Sequence, residues 1–486
     1  MEYRNLSIEQ LHELLVNKKI TPLELAKEAI RLAKEDSNNA FEYIMEDEAI
    51  AIAESLSEPE ANNPLWGIPF VIKDNISTKG VPTTAGSNIL RGYVPVFDAT
   101  VVTKLKEAHA VPIGKVTLDE LAMGGTGTTG HLGTTFNPYD RSHTRLVGGS
   151  SCGSAAATAD GIVPFSLASD TGDSTRKPAS YAGLVGLKPT WGRISRYGLF
   201  PFCPSLDCVG IFTRSVKDNA YVLNAIAGHD EKDMTSSVKP VEDYAKNIDK
   251  LEKSRKIAVI EEILDAVKDE QIKSKFMETV NELKKQGFAV DFVHMSNETL
   301  CTLFPTYFVL SCAEATSNNA NLDGIKFGPL SKGETYEEVM KNARTKGFSE
   351  LIKRRFIIGS FALMKENKND LFVRAQRNRR VIVTKLNEIY KDYDFIYLPA
   401  APSIAPKINE SSDRLSDEYL IADNHLVLGN FAGLPSITVP LGFKDKMPFG
   451  VNIMAKAFDE VGMFQLAYKI ESITGLKNIV AEGGNK

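Results

Sequence analysis

The hydrophobic positions of this chain fall into short, clearly punctuated runs. Near its start, Ser7–Gln10 and Thr21–Glu24 each set a hydroxyl three residues ahead of a side chain able to reach back to its amide, the pattern of a capping box. Pro22 then takes the first helical position, and Leu23, Leu25, Ala26, Ala29 and Ile30 recur at helical spacing. Residues 66–72 read differently. They form a short apolar run ending at Lys73-Asp74-Asn75, which predicts a buried strand opening into a loop. A similar run at 162–168 leads into a polar, glycine-containing stretch. From about Leu251 the texture predicts alternating helices and strands. Residues 434–442 and 448–454 predict paired strands under a final helix over 460–473. No stretch reads as an interdomain linker and none repeats, so the pattern predicts one large α/β domain over residues 1–486.

Residues 121–215 stand apart, holding 15 of the chain's 35 glycines within 95 of its 486 residues. Glycine at that density lets backbone pack closely or aim its N–H groups at a ligand. Composition otherwise only excludes. With 57 basic against 62 acidic residues the net charge is −5, which gives no bulk drive toward nucleic acid or acidic lipid. No apolar run reaches about 18 residues, and residues 1–20 mix charged and apolar positions, so neither a membrane span nor a secretory signal is expected. Five cysteines form no CxxC, and seven histidines show no ligand spacing. These features predict a reduced, cytoplasmic chain without metal.

Two arrangements could carry nucleophilic chemistry. Gly149-Ser150-Ser151-Cys152-Gly153 fits the GxSxG pattern of a nucleophile elbow, which requires a preceding strand and a general-base histidine. The residues before it, 140–146, are polar and turn-like, and His229, His294 and His425 sit in segments without other catalytic signals. The second arrangement combines Ser150, Ser174 in Ser169-Asp170-Thr171-Gly172-Asp173-Ser174-Thr175-Arg176, and Lys73 at the end of its apolar run. A serine hydroxyl needs a base, and lysine serves only where burial leaves it neutral.

These motifs together resemble the amidase-signature family. The likeness covers residues 148–157, 169–176 and 183–192, continues to Ser205-Leu206-Asp207, and includes Gly67-Ile68-Pro69 with Lys73-Asp74-Asn75, then Gly433-Leu434-Pro435 and Val439-Pro440. It implies a mixed, twisted sheet with helices on both faces, a signature core over about 66–215, and C-terminal strands and helix over about 395–486. It also implies a Ser–cis-Ser–Lys triad, with Ser174 as nucleophile, Ser150 as the bridging cis serine and Lys73 as base. The N–H groups around Thr171, Gly172 and Asp173 become the oxyanion hole.

Within the family, Tyr307 in Pro305-Thr306-Tyr307-Phe308, then Glu314-Ala315-Thr316-Ser317-Asn318, Asp323-Gly324-Ile325 and Lys353-Arg354-Arg355 resemble the branch serving as A subunits of glutamyl-tRNA(Gln) amidotransferases. That branch implies a glutaminase whose glutamine is held by Tyr307, Arg355 and Asp423. A guanidinium forks onto the α-carboxylate while a carboxylate receives the α-ammonium. It further implies a heterotrimer with B and C subunits as partners, with ATP and Mg used by the partner rather than this chain, and Glu-tRNA(Gln) held mainly by the B subunit. No P-loop is present, in keeping with that division. A stand-alone amidase for small amides is the alternative. Four departures mark the sequence: Asp173 in place of a glycine beside the oxyanion hole, Cys152 in place of another, Thr126–His131, and Leu146-Val147 before Gly148.

Overall fold

A computed structural model describes residues 3–410 and 414–481. Both predicted N-terminal helices form, Ile8–Val16 and Pro22–Lys34, each with its capping box closed from both sides. Eleven strands build one sheet: β1 Phe41–Ile44, β2 Pro69–Lys73, β3 Val111–Val116, β4 Phe165–Asp170, β5 Val185–Lys188, β6 Cys208–Thr213, β7 Lys256–Ile260, β8 Ala289–Val293, β9 Phe395–Pro399, β10 Ser436–Lys444 and β11 Met447–Ala455. Their spatial order is β1-β3-β2-β4-β6-β5-β10-β11-β9-β7-β8. The sheet is mixed: β2 runs parallel to β3 and β4, β7 runs parallel to β8 and β9, and the remaining pairs are antiparallel.

Strand pleating divides the core between two faces. Phe70 and Ile72 enter one hydrophobic cluster while Val71, between them, enters the other, and both clusters are roofed by helices. A strand buried on both faces has no reason to alternate, which is why 66–72 reads as a continuous apolar run. The terminal helix, Glu460–Thr474, packs on β10 and β11 as predicted.

The expected alternation after Leu251 fails in one place. Between β8 and β9 every regular element is a helix, with Leu303–Asn318, Tyr336–Gly347, Glu350–Leu363 and Arg374–Asp392 the longer ones. Their buried residues recur at helical rather than alternate positions, Ile352, Phe356, Gly359 and Ala362 for instance. This helical layer carries Tyr307 and Arg355. Among the described residues, no helix is long and apolar enough to cross a membrane.

Candidate active site

The parallel pair β2–β4 ends with both strands' C-termini at one edge, Ile72 opposite Leu167. Lys73, the last residue of β2, therefore lies beside Ser169 near the end of β4. Its side chain is fully buried, and Nζ lies 2.8 Å from Ser150 Oγ, 2.9 Å from Ser151 Oγ and 2.8 Å from Ser169 Oγ. Among the described residues no carboxylate pairs with it. Lys115, equally buried on the neighbouring strand, makes the contrast by sitting 3.0 Å from Asp74. Burial without a counter-ion pushes the Lys73 ammonium down to about 7, against weak support from Cys152 and more distant Asp119, Asp170 and Asp207.

The hydroxyls around Lys73 fit a neutral amine. Ser151 donates to the Ser169 carbonyl at 3.1 Å, so its oxygen is free to accept from Nζ. Ser169 Oγ already accepts from Asn75 Nδ2 at 3.0 Å and can take a second N–H from the lysine. Two N–H groups are then used, and the nitrogen lone pair faces Ser150, whose proton it can receive.

Ser150 is placed by the turn around Asp119. The Gly149–Ser150 peptide bond is cis. The Ser150 carbonyl accepts from Asp119 N at 3.1 Å, while the Asp119 carboxylate accepts from the amides of Thr126, Gly127 and Thr129 and from the Thr129 hydroxyl. The divergent 126–131 stretch thus folds around one carboxylate. A Cβ at position 149 would lie 2.0 Å from Asp119 Oδ2, so only glycine fits there. The elbow arrangement does not form. No strand leads into Gly149, the helix Cys152–Ala159 starts just after Ser151, and His229, His294 and His425 bond to Ser236, Glu262 and Ala422 instead.

The Ser174 loop leaves β4 and is fixed from beneath by Arg176, which is wholly buried. Its guanidinium forks onto Asp170 at 2.8 and 3.1 Å and reaches Gly172 O at 2.8 Å, Leu426 O at 2.6 Å and Asn430 Oδ1 at 2.6 Å. Burial opposes charge on Asp170, but this guanidinium and Asn430 hold the carboxyl at about 2. Thr171 Oγ1 donates to Asp207 Oδ1 at 2.6 Å, tying the loop to the start of β6. With the loop so fixed, the N–H groups of Thr171, Gly172, Asp173 and Ser174 bond to no other group among the described residues. Four free, clustered donors beside a hydroxyl are what a developing oxyanion requires.

The remaining predicted residues surround this loop. Tyr307 lies so close over Gly172 that a Cβ there would sit 3.0 Å from its ring Cζ. Burial keeps the Tyr307 phenol protonated, raised well above its usual value against the pull of Arg355. Arg355 packs its guanidinium 5.2 Å from the Phe308 ring centre and 5.9 Å from that of Phe202, and pairs with no carboxylate among the described residues. Its Nη1 is buried and has no hydrogen-bond partner among the described residues. Asp423 is engaged by Lys177, whose Nζ lies 3.2 Å from its Oδ1 and 2.6 Å from Asp173 Oδ2. The Asp173 side chain is therefore committed to Lys177. Burial raises the Asp423 carboxyl, while Lys177 lowers it.

Ser151, Ser169, Arg176, Lys177 and Asn430 were not singled out from sequence. The spacing of Asp173 and Lys177, four residues apart, was the one signal available. No cluster able to hold a metal ion occurs among the described residues.

Comparison with known proteins gives this geometry its context. The Amidase family model matches residues 24–464. The A subunit of glutamyl-tRNA(Gln) amidotransferase from Staphylococcus epidermidis is 42% identical over 481 residues, covering 97% of this chain and 98% of that protein. The Streptococcus pneumoniae protein of the same name is 39% identical, covering 98% and 97%. Among solved structures, the glutamyl-tRNA(Gln) amidotransferase A subunit of Thermotoga maritima is 37% identical with a TM-score of 0.80, covering 97% of this chain and 95% of that one. A peptide amidase solved with chymostatin is 26% identical with a TM-score of 0.81, covering 98% and 99%. The chain belongs to the amidase family and, within it, to the glutamyl-tRNA(Gln) amidotransferase A subunits.

Proposed function

We propose that this chain hydrolyses glutamine in the cytoplasm and hands the ammonia to a partner, the B subunit, which uses ATP and Mg to convert Glu-tRNA(Gln) to Gln-tRNA(Gln), with a C subunit completing the assembly. Ser174 Oγ attacks the carboxamide carbon, passing its proton to Ser150 Oγ as Ser150 passes its own to neutral Lys73. The carbonyl oxygen gathers charge against the N–H groups of Thr171, Gly172 and Asp173, each such donor contributing about 2.7–4 kcal/mol in acyl transfer. The proton returns through Ser150 to the departing nitrogen, ammonia leaves, and the γ-glutamyl ester remains on Ser174. Water, activated along the same path in reverse, releases glutamate.

The observation that carries this reading over a general amidase is Arg355 Nη1, buried and without a hydrogen-bond partner among the described residues, on a guanidinium otherwise met by the Cys312 thiol and two aromatic rings. Leaving a guanidinium N–H unpaired is costly unless a ligand completes it. A forked α-carboxylate from glutamine does so, and a plain amide does not. Fold alone does not discriminate, since the peptide amidase superposes as well as the amidotransferase chain. The test is ammonia release from glutamine by the purified chain, alone and with the B and C subunits, charged tRNA and ATP, beside a propionamide control. Glutamine-dependent release that rises with the partners supports the reading. Propionamide hydrolysis indifferent to glutamine and partners makes the chain a free-standing amidase.

A further inference from the structure

Lys177 lies on the short helix after Ser174, and its three N–H groups are spent on Asp173 Oδ2, Asp423 Oδ1 and, at 2.6 Å, the Asp423 carbonyl oxygen. Each carboxylate gives one oxygen to the lysine. Oδ1 of Asp173 and Oδ2 of Asp423 accept no hydrogen bond among the described residues, and both side chains keep about a quarter of their surface open. Burial alone would strip the Lys177 proton, but the two carboxylates hold it charged, well above lysine's usual value.

Charge decides what such a cluster accepts. Two carboxylates and one fixed ammonium leave one negative charge, which a single incoming ammonium neutralises. With a glycine at position 173, Lys177 would cancel Asp423, and that ammonium would meet a neutral pair. With no cation at 177, two like charges would stand together with nothing to offset their repulsion. Asp173 and Lys177 therefore make sense only together. Asp173 directly follows Gly172, the residue Tyr307 covers, and the Tyr307 phenol feels the charge of both Asp173 and Arg355, which places the two near one ring.

We propose that Asp173 is a second substrate-binding carboxylate, receiving the α-ammonium of the substrate jointly with Asp423, and that Lys177 is the positioning residue that holds the two carboxylates together. The inference rests on the glutamine reading and sharpens it. The site selects carboxamides bearing both a free α-carboxylate, at Arg355, and a free α-ammonium, at the Asp173–Asp423 pair.

The experiment compares glutamine with glutaramate, the same carboxamide lacking the amino group, as substrates for the assembled enzyme carrying D173N, K177M or both. D173N is expected to raise KM for glutamine at least about tenfold more than it raises KM for glutaramate. The double variant D173N/K177M restores one negative charge through Asp423 alone and is expected to recover most of the glutamine KM. A purely structural loss would weaken both substrates alike, so the recovery counts only where it appears for glutamine and not for glutaramate. Equal rises of KM on both substrates, or a double variant no better than D173N, overturn the proposal. A wild-type enzyme that hydrolyses propionamide and ignores glutamine removes the glutamine reading itself, and this proposal with it.

Discussion

Ser169→Ala isolates the electrostatics of the base. A protonated Lys73 presents three N–H groups to the hydroxyls of Ser150, Ser151 and Ser169, all within 2.9 Å, whereas the neutral amine needs only two acceptors and one donor. Removing Ser169 Oγ costs the ammonium a charge-assisted bond and the amine a weaker one. The difference is about 1 kcal/mol, or roughly 0.7 of a pKa unit. The Lys73 value of about 7 should then fall to roughly 6.3. Because kcat/KM follows the free enzyme, its acid limb moves with it. At pH 6 the variant should retain a threefold to fourfold larger share of its own plateau than wild type, roughly, whatever the plateau's height. The assay is glutamine hydrolysis between pH 5 and 9, with kcat/KM fitted to one ionisation. A limb that stays in place while the plateau drops shows that Lys73 is not the titrating base. A limb that moves upward refutes the hydrogen-bond count.

Arg355→Met should raise KM for glutamine by about tenfold to a hundredfold, as loss of a charged carboxylate contact implies, while propionamide turnover stays near wild type; steady-state kinetics on both amides checks it. Gly172→Ala forces a methyl within 3.0 Å of Tyr307 Cζ, so glutamine KM should rise while the melting temperature moves little, read by kinetics and calorimetry. Glu471 lies far from this chemistry and accepts from Val216 N at 2.8 Å, with burial raising its carboxyl from 4.5 to about 7. The folded state then binds the extra proton between those values, so Glu471 loses stability as pH rises through them. Glu471→Gln keeps the acceptor, and should raise the urea-unfolding free energy by on the order of 2 kcal/mol at pH 8 and by little at pH 4.

What could be read from sequence follows the range of the interactions involved. Lys73 was legible because an apolar run ends on it, and the Ser150 and Ser174 loops because their glycines serve local geometry. Arg355 was not legible by itself. Lys353-Arg354-Arg355 has the composition of a solvated face, and helical geometry turns its members in different directions. Lys353 pairs with Glu350 at the surface and Arg354 is exposed, while Arg355 turns toward Phe202 and Phe308. Only the family resemblance singled it out. Asp173 read only as a departure beside the oxyanion hole, because its partner Asp423 through Lys177 lies about half the chain away. Asn430 beneath Arg176 carried no signal at all. The helical layer between β8 and β9 reads as alternating because its short helices are broken by loops that mimic strand punctuation.

The most direct test of the central claim is to catch the intermediate. Wild-type chain, assembled with its partners and turning over glutamine, is quenched in acid within its first cycles and mapped by peptide mass spectrometry. The account predicts a γ-glutamyl ester on the peptide bearing Ser174, absent from Ser174→Ala, whose complex still amidates Glu-tRNA(Gln) when ammonium is supplied. Ammonia release with the adduct on another side chain, or undiminished release by Ser174→Ala, would contradict it.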